Sequence, residues 1–282
     1  MKKRIKKEKE IFLYYWTYIA LVFFIILNYF SPHLKIASLN IGLIISVVTF
    51  LFGFLINISF SIVKNKAVDL REALAIETGR LSSIFWLSKN LGKNFYEKIR
   101  EHIDKYAIKT LTYFREYEVG RQEISEIYGD LDLITLKSKH QDKYTGSLLY
   151  ILGELTPIRE KIEYLTKVRL LKVLKIVNYL LGSILIILLF LNRGDTFTNI
   201  IFIVLSTIII FILLIIEDYD DLKIGRHTMN ISNSEELFDF IGKPRYYPIW
   251  LLENVKIKRG ETYRIGYIDS KTKKLKIEKV KW

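Results

Sequence analysis

Cysteine is absent from the 282 residues, which excludes disulfides, thiolate nucleophiles and Cys-held zinc or iron–sulfur centres. Histidine is almost as scarce. His33, His102, His140 and His227 lie on separate segments, without the close spacing that metal ligands need. No nucleophile–base pair, metal set or phosphate-cradling loop can be assembled from what remains, so the sequence predicts neither an enzyme nor a cofactor. Proline occurs only four times, which leaves long helices uninterrupted. The most informative shortage is of charge. Ile11–Phe30, Ile36–Val63 and Asn199–Ile216 have apolar interiors almost free of ionisable groups, and Leu170–Leu191 carries only Lys172 and Lys175, close to its start.

Each of these four runs approaches or exceeds the ~17–25 residues that cross a ~30 Å hydrocarbon layer. Two lysines near a helix end can extend to the interface, so the third run is not disqualified. The predicted fold class is therefore mainly α, a polytopic membrane protein. It has four transmembrane helices, a long cytosolic helical insert and a small C-terminal α+β appendage.

A net charge of +13 raises the question of nucleic acid, but its distribution answers otherwise. The excess gathers at Lys2, Lys3, Arg4, Lys6, Lys7 and Lys9, directly before the first run, where basic residues fix topology and attract anionic lipid. The predicted partner is the lipid bilayer, not nucleic acid. The first run is too long for a signal peptide and no small-residue cleavage site follows it, so a cleaved leader is not expected. The positive-inside rule then predicts a multi-pass protein of the cell (inner) membrane with both termini cytoplasmic. Four regions result: 1–63 with the first two spans, a cytosolic helical region 64–169, spans three and four over 170–216, and a cytosolic tail 217–282.

Apolar residues continue at helical spacing past the second run. Ala67, Leu70, Leu74, Leu81, Ile84 and Leu87 form one face, and Gly92 ends that helix. Phe95, Ile99, Ile103, Tyr106 and Phe114 line a second helix, with Gly120 as its expected C-cap. A third begins near Tyr144, is expected to be interrupted or kinked at Pro157, and leads through Arg159, Lys161, Lys167 and Arg169 into span three. In the tail, Ser232 or Ser234 reads as the N-cap of a short helix. Alternation at Tyr263, Ile265 and Tyr267, then at Leu275, Ile277 and Val280, predicts a β-hairpin.

The second span carries the main functional signal. Gly42, Ser46, Thr49, Gly53, Asn57, Ser61 and Lys64 recur at three- and four-residue steps, so they share one stripe of a helix. Polar groups are costly against lipid, so this stripe is expected to face protein or water. Packing through small residues is one reading; a pore lining is the other.

Gly53–Arg71 reads GFLINISFSIVKNKAVDLR. It resembles the bestrophin pattern in which the pore-lining second helix ends in a basic residue, then Asn-x-Ala, then a downstream Arg, here Lys64, Asn65, Ala67 and Arg71. Glu72 and Ala73 stand where bestrophins carry aromatic residues. The order of two spans, helical insert, two spans and tail is similar too. Glu77-Thr78-Gly79, the Arg159 region, and Asp221-Leu222 with the Ser232–Phe238 segment resemble a prokaryotic bestrophin-like membrane family, over about residues 11–242. The resemblance implies a homopentamer with the second helix of each subunit around a central pore. It also implies an apolar neck, which falls on Leu55, Ser59 and Val63, a different face from the polar stripe. Glu217, Asp218, Asp220 and Asp221 occupy the place of a calcium clasp in animal bestrophins, which makes them a weak Ca²⁺ candidate; without a loop glycine or EF-hand spacing, a solvated turn beside the membrane is the favoured reading.

The expected function is an oligomeric channel that passes ions, anions among them, along a pore lined by Ser46, Thr49, Gly53, Asn57, Ser61 and Lys64. The alternative is a membrane-anchored interaction or sensory protein without transport, in which the polar stripe is buried among the chain's own helices.

Overall fold

A computed structural model describes residues 10–32, 41–114, 116–134, 139–222, 226–255, 260–269 and 274–281. The basic cluster Lys2–Lys9, His33 and the expected hairpin turn at 270–273 lie outside the described residues. The chain forms two compact units, Met1–Ala67 with Arg169–Ile224, and Val68–Val168 with Gly225–Trp282.

The first unit holds four helices long and apolar enough to cross a membrane. They are α1 (Glu10–Phe30), the first part of α2 (Ile41–Ser88), α6 (Lys172–Leu191) and α7 (Thr196–Asp220). Helices α1 and α6 both pack on α7. Phe24, Phe52, Leu185, Phe202, Ile209 and Leu213 form the core, and the Phe202 ring meets Phe24 and Phe190 edge-on, with centroids 5.6 Å away in each case. At Gly182 a Cβ would lie 3.2–3.3 Å from Leu213, Ile209 and Phe52, the close approach that small residues allow between membrane helices. Only 6% of the apolar stretch of α1, and 6% of that of α2, is buried within the chain. Such outward apolar surface needs lipid or another subunit against it.

The α6–α7 turn contains a side chain that the sequence reading passed over. Asp195 caps α7 through the Thr198 backbone N–H at 2.8 Å. Beside it Arg193 is buried, with its guanidinium 3.8 Å from the Phe190 ring centre. It also donates to the Leu27 and Asn28 carbonyls, 3.5 and 3.3 Å away. Carbonyls in the last turn of a helix lack intrahelical donors, and Arg193 supplies one to the end of α1.

The second unit begins with the remainder of α2, whose Leu70, Leu74, Leu81, Ile84 and Leu87 are buried as the spacing predicts. A 3₁₀ turn (Lys89–Leu91) ends it at Gly92, whose φ of 110° suits glycine. Helices α3 (Lys93–Thr112), α4 (Arg121–Asp132), α5 (Lys139–Lys167) and α8 (Arg226–Phe240) surround a core that includes Phe85, Ile99, Ile103, Leu148, Leu152 and Phe238. Strands β1 (Tyr246–Pro248), β2 (Thr262–Ile268) and β3 (Leu275–Lys281) form a sheet in that order. The β2–β3 pair is the expected antiparallel hairpin. The parallel β1–β2 pair was not expected.

Three local expectations are corrected. Gly120 does not cap α3, which ends at Thr112; it precedes α4 and lies against Tyr106, where a Cβ would be 2.6 Å from the ring. Helix α5 runs through Pro157, and the chain instead leaves helical conformation over 168–171. Ser232 and Ser234 lie inside α8 rather than at its start.

The sheet is fixed to α3 by buried polar contacts. Arg264 of β2 forks onto both oxygens of Asp104 at 2.6 and 2.7 Å, the bidentate geometry that suits a buried ion pair. The Tyr246 hydroxyl shares a 2.6 Å hydrogen bond with Thr112 and lies 1.7 Å from where a Gly266 Cβ would stand. Glycine is therefore required beneath that ring. Burial pushes the Tyr246 phenol up to about 12, against the downward pull of the Thr112 bond. The folded value lies above the unfolded value of ~10, so the neutral phenol stabilises the fold fully below pH ~10, and that contribution is lost as pH rises through about 12. Tyr246→Phe is expected to flatten the alkaline loss of stability between these values while costing about 1 kcal/mol at neutral pH. Thermal unfolding across pH 8–12 checks both.

Candidate functional site

The polar stripe of α2 is turned away from the rest of its unit. Gly42, Ser46, Thr49, Gly53, Asn57, Ser61 and Lys64 are all exposed on the isolated chain, and a Cβ at Gly53 would meet nothing within 4 Å. Ser46 satisfies its hydroxyl internally by donating to the Gly42 carbonyl at 2.9 Å. Asn57 finds no hydrogen-bond partner among the described residues, although it stands about 24 Å along α2 from Ile41.

The neck register faces inward. Leu55 is half-buried, and Ser59 and Val63 are fully buried inside the chain's own unit. Ser59 accepts a 2.6 Å hydrogen bond from the Asn178 amide of α6, and Val63 packs on Leu170 and Ile216. In this conformation those two side chains are used in holding α2, α6 and α7 together. The sequence separated the two faces of α2 correctly, but it could not say which one the other helices would cover.

The acidic group after span four is the second predicted site, and its geometry corrects the expectation of a Ca²⁺-ready or solvated turn. Glu217–Asp220 form the last turn of α7. Carboxylates there face the negative end of the helix dipole and require cations. Asp220 is fully buried. Its Oδ2 is 2.7 Å from Lys175 Nζ, and its Oδ1 accepts the Leu170 N–H at 2.7 Å, with Lys66 Nζ 3.7 Å away. Its backbone carbonyl accepts from Lys66 at 2.7 Å and from Arg169 at 2.5 Å. Glu217 is bound to Lys175 at 3.0 Å, and Arg169 approaches Asp221 at 3.7 Å. Asp218 is also buried. Protein cations thus occupy the positions a calcium ion would need, and among the described residues no group of three or more His, Asp or Glu is arranged to hold a metal.

Lys66, Arg169 and Lys175 are the site residues the sequence reading missed. By sequence, Lys175 reads only as a lysine that extends to the interface. The convergence of all three on Asp220, at its carboxylate and its backbone carbonyl, joins residues up to 154 positions apart, a separation that carries no local signal. Lys175 on α6 faces α7 beside it, and a charge-pairing argument within the third and fourth spans could have found that contact.

No family model matches the chain, and no curated protein matches it. A solved crystal structure, described as that of a membrane protein, superposes with a TM-score of 0.55 at 14% identity, covering 83% of this chain and 97% of that one. This chain shares its fold with a membrane protein of known structure. At that identity the likeness concerns the fold alone.

Asp220→Asn is expected to lower stability by about 3–5 kcal/mol, because the buried Lys66 loses the Asp220 charge, while Lys175 keeps Glu217 and the Leu170 contact is retained. Thermal unfolding of detergent-solubilised protein measures this loss. Added Ca²⁺ is expected to leave the wild-type midpoint unchanged.

Proposed function

We propose that this chain is one subunit of a bestrophin-like homo-oligomeric channel, a pentamer as the sequence resemblance implies, which passes ions passively along a pore lined by α2. It is a conduit rather than an enzyme, resident in the cell membrane with its N- and C-termini in the cytoplasm.

The observation that carries this reading is Asn57, in a stripe the chain leaves uncovered. An amide facing hydrocarbon would forgo its hydrogen bonds, at a cost of several kcal/mol. Water in a pore, or a neighbouring copy, removes that cost. Burial of the stripe among the chain's own helices would favour a membrane anchor without transport; on the isolated chain the stripe is exposed. Lys64 ends the stripe and Arg71 follows two turns later, both exposed. Repeated around a ring, they would form a cationic collar that favours anions.

Purified protein in liposomes is expected to give ion flux, greater for a halide than for a monovalent cation. Asn57→Asp or Gly53→Asp places a ring of negative charge in the pore and is expected to reduce halide flux about tenfold or more, with folding unchanged because both positions are open. Leu74→Asp and Leu81→Asp enter a closed core and are expected to abolish folded protein. Absence of flux for every ion tested, from protein shown to be oligomeric, would falsify the channel reading.

A further inference from the structure

Arg159, on α5 of the second unit, is a half-buried guanidinium; among the described residues its buried Nε has no acceptor and no carboxylate pairs with it. The contact it does make is with the face of Tyr106, 5.4 Å from the ring centre. A buried donor left unsatisfied costs about 1–3 kcal/mol, and more when charged, so an acceptor from outside the isolated chain is expected. Arg159 lines an open groove between α4 and α5, with Ser125, Tyr128, Thr156 and Glu160. Glu163 also lines it, but Arg121 and Lys167 already hold that carboxylate. Tyrosine and arginine around a groove are what subunit interfaces favour.

The same unit exposes carboxylates of the opposite kind. Asp69 and Glu72, on α2, are exposed and have no partner among the described residues. At 100° per residue they share one flank of the helix with Ile76 and Ser83. Lys64 and Arg71 lie roughly a third of a turn away, in line with the polar stripe.

We propose that the α4–α5 groove receives the carboxylate flank of α2 from a second copy of this chain, with Arg159 pairing with Glu72 or Asp69 of that copy. This rests on the homo-oligomer reading above and names the contact that would hold it together. The groove and the flank are different surfaces of one subunit, so the contact is head-to-tail, the kind that closes into rings. With the cationic line of α2 toward the ring axis, its carboxylate flank points sideways to a neighbour. A free polyvalent anion suits the groove less well, because Glu160 and Glu163 line it too. A single carboxylate presented beside an isoleucine and a serine fits that mixed wall.

The test is charge reversal in the full chain, with assembly followed by native mass measurement and light scattering in detergent, and helix content by circular dichroism. Arg159→Glu is expected to raise the protein concentration needed for half-assembly about tenfold or more at unchanged helix content. Combining it with Glu72→Arg or Asp69→Arg is expected to restore assembly. Restoration cannot come from a misfolded chain, so it keeps the result interpretable if the single variant proves unstable. If Arg159→Glu leaves a wild-type-like oligomer, or if neither second change restores one, the pairing is overturned while the channel reading stands. A monomeric wild type overturns both. Inorganic phosphate that raises the wild-type melting point but not that of Arg159→Gln, with assembly unaffected by either, identifies a free-anion site and overturns the proposal.

Discussion

A carboxylate in the last turn of a helix faces the negative end of the helix dipole, and one removed from water also loses its hydration. Asp220 is in both situations, and the first unit is arranged around relieving them. Its side chain takes the ammonium of Lys175 and the Leu170 N–H, and Lys66 approaches both its carboxylate and its carbonyl. Those contacts determine where α6 begins. The chain is non-helical over 168–171, and the Leu170 N–H, freed from helical bonding there, finds its acceptor on Asp220. Helix α5 continues through Pro157, which is exposed. A helix start pinned by a buried carboxylate is the stronger constraint.

Much of this architecture was legible in the sequence, since the signals that carry it are local and repeated. The four spans are written in uninterrupted apolar runs, and the continuation of α2 in three- and four-residue steps. The hairpin is written in the alternation of Tyr263, Ile265 and Tyr267. What escaped the reading depends on contacts between distant residues. Strand β1 is three residues long and ends in proline; it becomes a strand only because β2 lies parallel beside it. Gly120 looked like a cap because glycine often ends helices, whereas its role is to leave room for the Tyr106 ring. The acidic turn looked solvated because its three cations come from three other segments of the chain. Arg193 carries no local signal, because it serves the end of a helix more than 160 residues earlier.

Helix α2 illustrates why a single helix needs more than one environment. At 48 residues it is about 72 Å long at 1.5 Å per residue, more than twice the ~30 Å of a hydrocarbon layer. Its second half has a conventional soluble pattern, with one apolar face against α3 and the other helices of that unit. Its first half inverts the expectation. The face that packs on its own unit carries Phe52, Ser59 and Val63, while the uncovered face mixes Gly53 and Asn57 with Phe50 and Phe54. Lipid satisfies the phenylalanines but not the asparagine. The two needs are met together only if the uncovered face is itself divided, part toward apolar surroundings and part toward water or a neighbour's polar groups.

That division is held in place by one contact. In a helix, residues two apart point in nearly opposite directions, about 200° around the axis. Lys66 reaches inward to Asp220, so Lys64, two residues earlier, is directed outward, and with it the stripe that reaches Lys64 in three- and four-residue steps from Gly42. Ser59 and Val63 follow Lys66 onto the inner face at helical spacing, where Asn178 and Leu170 receive them. Rotating α2 to bring the neck residues outward would withdraw Lys66 from Asp220, strip Ser59 of its amide partner and bury the Lys64 ammonium. Each change is unfavourable independently of the others. The outward direction of the polar stripe therefore follows from the burial of a single carboxylate on another helix.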